Sequence, residues 1–242
     1  MKKYSINCDM GEGLSNEAQI MPYIDYCNIA CGGHFGDTDS MTATIELALQ
    51  NNVKVGAHPS YPDTINFGRK SMTISNDALI ESIQHQIETL KDIASKKQAT
   101  ISHIKAHGAL YNDIAKNKDL AEVFLTAVAP YRNQCTLFAP YNSEIATLAL
   151  QQNFDIAYEA FADRRYHKDL SLVSRNQNNA VINDPEKVLQ HVQTMMHTSM
   201  VETISNTKEF IQAETFCVHS DTPNAIEILK TLHAYLQKHS GE

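Results

Sequence analysis

The sequence predicts an α/β fold, a seven-stranded (β/α) barrel-like domain spanning residues 1–242, and two observations carry that prediction. Short β-compatible runs alternate with amphipathic helical stretches along the chain, which implies parallel βαβ units. The side chains then decide between an open doubly wound sheet and a closed barrel. Residues i and i+2 share one face of a strand. One face collects Asn7, Asp9, Asn28, Lys54, His58, His103, Lys105, His107, Glu159, Cys217 and His219. The opposite face holds Ile6, Cys8, Ile29, Val53, Val55, Ala57, Ile104, Phe216 and Val218. A sheet covered by helices on both sides is apolar on both faces. Polar groups gathered on one face of many strands, crowding toward the strand ends, fit a barrel whose lumen leads to a site among its loops.

Each element has its own signal. Strands are expected at Tyr4–Asp9, Tyr26–Cys31, Val53–His58, Ile101–His107, Gln134–Ala139, Phe154–Ala160 and Glu214–His219. The second strand runs into Gly32-Gly33-His34-Phe35-Gly36-Asp37, where adjacent glycines permit positive φ or a close ligand approach. Asp37 or Thr38 then caps a helix to about Gln50, whose free N–H groups favour an anion. After the third strand, the polar loop 59–71 is too long for a plain connection and reads as functional. Ser75 caps the clearest helix, with Leu79, Ile83, Ile87, Leu90 and Ile93 on one face. Further helices are expected near Asp119–Ala129 and Ser143–Gln151, after Asp184-Pro185, and from Thr222-Pro223.

Composition excludes several classes. Hydrophobic residues at 43% and charged residues at 20% suit a packed globular core. A net charge of −8 without any Lys/Arg run argues against nucleic acid or an anionic membrane as partner. No stretch approaches a membrane span, and Lys2 and Lys3 have no apolar stretch behind them, so a cytoplasmic protein is expected. Five cysteines, none in a C-x-x-C pair, leave one unpaired under any disulfide scheme. Cys27 and Cys31 lie in a strand-like run and read as small core residues in a reducing compartment.

The chemistry-bearing groups cluster at strand ends. Asp9 and Glu12 flank a glycine turn and suit divided acid and base roles, or a metal. Lys105 and His107 point the same way: the lysine needs an anion or substrate, or else a structural partner such as Asp9 or Glu159, and the imidazole suits proton transfer. Arg164, Arg165 and Arg175 offer guanidinium groups for carboxylate or phosphate oxygens. His219 and Asp221 precede the last helix. Asp9, His58 and His219 are the metal candidates, around an open position for zinc or magnesium. The chain has no G-x-x-x-x-G-K-[ST], G-x-G-x-x-G, G-x-S-x-G or H-E-x-x-H motif.

Taken together, Asn7–Glu12, Asn28–Asp37, Gly56–Asp63, Phe67–Arg69, Lys105–Asn112, Phe161–Tyr166, Leu172–Arg175 and Cys217–Pro223 resemble the motifs of the LamB/YcsF family, in order and along essentially the whole chain. Two local departures are Ala106, where the family usually has proline, and Ser220, where it usually has glycine. The resemblance implies a barrel of the glycoside hydrolase/deacetylase type. It also implies a role as the A component of an ATP-dependent 5-oxoprolinase, which opens 5-oxo-L-proline to L-glutamate together with B and C subunits. On that footing the catalytic set is Asp9, Glu12, Lys105 and His107, with Lys105→Ala abolishing turnover but sparing the fold. The substrate-binding set is Asn28, His34, Asp37, Arg69, Arg164, Arg165, Arg175 and Asp221. ATP is a co-substrate, and a divalent metal is compatible with the residues. The alternatives are a stand-alone metal-dependent deacetylase or amidohydrolase, a non-catalytic subunit that presents substrate, and a purely structural protein.

Overall fold

The computed structural model describes residues 4–239; Lys2, Lys3 and the two ends of the expected 1–242 domain lie outside them. Seven parallel strands close into a barrel: β1 (Ser5–Met10), β2 (Tyr26–Ala30), β3 (Lys54–His58), β4 (His103–Ile104), β5 (Thr136–Pro140), β6 (Ile156–Phe161) and, after a hairpin of β7 (Met200–Glu202) and β8 (Lys208–Phe210), β9 (Thr215–Cys217). Closure comes from β9 pairing with both β1 and β6, with Asn7 opposite Cys217 and Glu159 opposite Thr215. Each of the seven expected strands is present, and β4 is trimmed to two residues.

Among the described residues eight α-helices lie between or after the strands: α1 (Glu17–Ile20), α2 (Thr38–Gln50), α3 (Asn76–Lys96), α4 (Gly108–Lys116), α5 (Lys118–Val128), α6 (Glu144–Gln151), α7 (Pro185–Thr198) and α8 (Ala225–His239). Their starts follow the predicted capping chemistry. Ser75, Asn117 and Ser143 each accept a backbone N–H, and Asp184 accepts two ahead of Pro185. The α3 stripe Leu79, Ile83, Ile87, Leu90 and Ile93 is buried and packs into one core with the apolar strand face of Ile6, Cys8, Ile29, Val55 and Phe216. All five cysteines are buried and free. Three elements differ from expectation. Helices α4 and α1 were not among the expected elements, and the β7–β8 hairpin was hidden because its two strands of three residues each are too short to show a period.

Inside, the lumen is packed. At its N-terminal end Phe138 stacks on His103 (ring centroids 4.5 Å apart), and Tyr26 meets both rings edge-on. Gly56 opposes His103 across the β3–β4 ladder, and a Cβ at position 56 would run into the His103 ring. Lys54, expected among the luminal groups, is exposed at this end with Nζ 3.2 Å from the Tyr26 hydroxyl. Among the described residues no helix is long and apolar enough to cross a membrane.

Candidate active site

The polar strand face predicted from alternation meets in the barrel interior as one network. Asn28 on β2 donates to Asn7 Oδ1 and Asp9 Oδ1, both at 2.8 Å, and its own carbonyl oxygen lies 2.8 Å from His103 Nε2. Asn7 donates to the Thr215 hydroxyl (2.9 Å). Lys105, just past β4, crosses the lumen to reach strands that are not its neighbours. Its Nζ lies 2.9 Å from Asp9 Oδ1 on β1, 3.0 Å from Glu159 Oε1 on β6, and 3.1 Å from Cys217 Sγ on β9.

This environment sets the charges. Burial alone would push the Lys105 ammonium down, but Asp9, Cys217 and Glu159 outweigh it and hold its pKa well above the usual lysine value. Burial likewise opposes ionisation of Asp9, yet His58 and Lys105 keep that carboxyl well below the ordinary range. The structural partnership considered for Lys105 is therefore present with both carboxylates at once. With Lys105 removed, two buried carboxylates would lose their counter-charge, which argues against Lys105→Ala sparing the fold.

Above the network lies a cavity of about 470 Å³ at the C-terminal end of the strands. Asp9, Glu12, His58, Lys105 and His107 form one part of its lining, and Arg69, Arg164, Arg175 and Asp221 another. Burial and the nearby Asp9 charge push the Glu12 carboxyl up to about 7. The two imidazoles beside it face each other, His58 Nε2 and His107 Nδ1 being 3.0 Å apart. His107 Nε2 is occupied by the Phe67 carbonyl (3.0 Å), which comes from the long loop 59–71. With both nitrogens engaged, His107 is poorly placed as the proton carrier expected of it.

His219 is better placed. Its Nδ1 lies 3.0 Å from Asp163 Oδ1, while Nε2 has no hydrogen bond among the described residues and the ring lines the cavity. Asp163 is fully buried and accepts in addition from the His219 backbone N–H (3.1 Å) and the Thr222 hydroxyl (2.5 Å). Burial alone would raise this carboxyl, but His219 and those hydrogen bonds bring it down to about 2. A buried carboxylate fixing one imidazole nitrogen and leaving the other for chemistry is the orienting device of acyl-transfer dyads. Asp163 was missed in the sequence. Its signal was the Phe161-Ala-Asp163 step at the end of β6, level in space with His219 beyond β9.

At the mouth, Asp221 holds two arginines from separate loops, Arg69 Nη2 at 2.8 Å and Arg175 Nη1 at 2.9 Å. Arg164 reaches the Val173 carbonyl (2.5 Å), while its Nε is buried and has no hydrogen-bond partner among the described residues. Four other residues of the expected binding set lie outside the cavity lining. Asn28 belongs to the network beneath it. His34 stacks on the His107 ring (3.6 Å, 2°) and contacts Glu12. Arg165 does not reach the lining; its backbone N–H bonds Ala180. Asp37 is exposed and forms a capping box with Ser40, so its own carboxylate fills the helix N-terminus considered for an anion. Gly33 serves packing, because a Cβ there would strike Gln86 and Ser60.

As for the metal candidates, the donor atoms of Asp9, Glu12, His58 and His107 lie within 4.8 Å of one another, whereas His219 groups separately with Asp9 and Cys217. The expected trio of Asp9, His58 and His219 is thus split between two clusters.

Comparison with known proteins identifies the family. The model of the LamB/YcsF family matches residues 4–242. The chain belongs to that family. Its relatives include the 5-oxoprolinase A subunit of Bacillus cereus (strain B4264), 35% identical over 247 residues that cover 100% of this chain and 97% of the relative. The crystal structure of the lactam utilization protein from Thermus thermophilus superposes with a TM-score of 0.91 at 27% identity, covering 98% of this chain and 97% of the other. A solved structure from Enterococcus faecalis V583, at 14% identity and a TM-score of 0.61, shares the fold alone and covers 99% and 95% of the two chains. One departure from the usual family pattern has a local use: the Ser220 hydroxyl donates to the Asp9 backbone carbonyl (3.0 Å).

Proposed function

We propose that this LamB/YcsF family chain is the A component of an ATP-dependent 5-oxoprolinase, working in the cytoplasm with B and C subunits. It opens the lactam of 5-oxo-L-proline to L-glutamate as ATP becomes ADP and phosphate. The observation that carries the reading is one cavity that combines guanidinium groups, suited to a carboxylate, with an Asp163-held His219. The full-length likeness to proteins named as the A subunit of 5-oxoprolinase supports the same substrate class.

A five-membered lactam is a resonance-stabilised amide with a poor leaving group. Transfer of the γ-phosphoryl group to its carbonyl oxygen, with ADP departing, makes the ring carbon open to water. His219 Nε2 takes the proton of the attacking water, and Asp163 stabilises the resulting imidazolium. Collapse breaks the ring C–N bond, and the nitrogen receives that proton. The acyl phosphate that remains is hydrolysed by a second water to the carboxylate and phosphate. Arg69, Arg164 and Arg175 hold the substrate carboxylate, whose geometry suits a guanidinium fork. Lys105 acts from the cavity floor by keeping Asp9 ionised, its ammonium already engaged by Asp9 and Glu159. With no phosphate-loop motif in the chain, the nucleotide is assigned to a surface shared with the partner subunits.

The test is glutamate release from 5-oxoproline with ATP, measured for the chain alone and with its partner subunits. Release that requires both ATP and partners is the expected outcome. Its absence in the complete assembly would overturn the reading, and ATP-independent amide hydrolysis by the chain alone would favour the stand-alone hydrolase instead.

A further inference from the structure

The two facing imidazoles pose a problem that the proposed reaction does not use. A backbone carbonyl can only accept, so each histidine bonded to one must carry its proton on that nitrogen. His58 Nδ1 lies 2.8 Å from the Lys105 carbonyl, and His107 Nε2 lies 3.0 Å from the Phe67 carbonyl. These contacts assign the tautomers: in the neutral rings, His58 Nε2 and His107 Nδ1 are both bare lone pairs, yet they sit 3.0 Å apart. Two carboxylate oxygens close on the same point. Asp9 Oδ2 is 3.4 Å from His58 Nε2, and Glu12 Oε1 is 3.4 Å from His107 Nδ1. Asp9, His58 and His107 are buried, so water cannot relieve the repulsion cheaply. With Glu12 ionised these are four converging acceptors with no donor among them, and a cation at their centre relieves the repulsion.

We propose that Asp9, Glu12, His58 and His107 hold one divalent first-row cation of the zinc, cobalt or manganese kind. Two neutral imidazoles and two carboxylates are the donor set such ions take. The surroundings are built for it in three further ways. Both ligand histidines have their second nitrogen pinned by a backbone carbonyl, which fixes ring orientation. Lys105 engages Asp9 Oδ1 and leaves Oδ2 for the ion. His34 packs flat on His107 and contacts Glu12 Oε1 at 3.1 Å, steadying both from the outside. Once a bound cation keeps Glu12 ionised, Asp9, Glu12 and Glu159 against Lys105 leave this group two negative charges in excess, matching a dication. The ion would supply polarisation of a carbonyl or of a water at the cavity wall.

The experiment uses the full chain, stripped with a chelator and titrated with Co²⁺ followed by absorption and with Zn²⁺ followed by calorimetry. No substrate, ATP or partner is needed, so the outcome is independent of the 5-oxoprolinase reading. One saturable site per chain is expected. His107→Gln and Glu12→Gln, checked for folding by circular dichroism, should weaken it by more than about 100-fold, and His34→Phe by about 10-fold, the scale of an outer-shell loss. His219→Asn should leave the affinity unchanged. Absence of saturable binding by the unsubstituted chain up to millimolar metal would overturn the proposal, since a proton shared between His58 and His107 would then be the cation. Binding that survives His107→Gln or disappears in His219→Asn would overturn it equally.

Discussion

The buried network inside the barrel and the arginine mouth above it use the same kinds of group for opposite ends. In the lumen, Asn7, Asn28, His103, Lys105 and Asp9 are buried and partnered by one another. At the mouth, Arg69 and Arg175 share the partly exposed Asp221 and remain in contact with solvent. Exposed ion pairs are worth little and exchange readily, whereas a buried pair loses heavily when one partner goes. The first region therefore fixes charge and shape, and the second is free to trade its internal carboxylate for a ligand's.

That contrast breaks most sharply at the junction of the two regions. Asp163→Asn should reduce glutamate release by the assembled enzyme by a factor on the order of 10³–10⁴, through loss of the correct His219 tautomer, with folding of the variant checked by circular dichroism. An effect below tenfold would remove His219 from the reaction. Lys105→Met, within the network, should cost about 3–5 kcal/mol of stability in urea titrations, because Asp9 and Glu159 lose their counter-charge. A neutral result there would mean that the network is not tuned as argued. Arg175→Ala, at the mouth, should raise KM for 5-oxoproline roughly 10- to 100-fold, the scale of one charge-assisted hydrogen bond, and leave kcat and stability nearly unchanged. A loss confined to kcat would contradict its role in binding.

The smallest effect is a slope with pH. Burial lowers His191 to about 4 and His103 to about 3. Below about pH 6.5 the unfolded chain binds protons that these native imidazoles refuse, so stability rises with pH between about 4 and 6.5 and is lost as pH falls through that window. Each histidine contributes a slope of up to roughly 1.4 kcal/mol per pH unit. His191→Phe keeps the ring beside Tyr166 and should make urea midpoints fall less steeply from pH 6.5 to 4.5. An unchanged slope would mean that His191 titrates normally.

Much of this was legible in the residues themselves. Period-2 alternation placed Asn7, Asp9, Asn28, His103, Lys105 and Glu159 on one face, because successive side chains of a strand must point oppositely. Ser75, Ser143 and Asp184-Pro185 announced their helices through local hydrogen bonding that needs no partner from afar. The local signal also misled at Asp37: a helix N-terminus suits an anion, and the chain supplied its own.

What the sequence by itself determined was the alternation of strands and helices, the polar strand face and the family motifs, since each is written in neighbours a few positions apart. Only the tertiary structure decided which of those groups meet. Asp163 lies 56 positions from His219, and His58 lies 49 from His107. Contacts of that span depend on how the barrel closes, and it was closure that gave Lys105 two carboxylates and left two imidazole lone pairs facing each other.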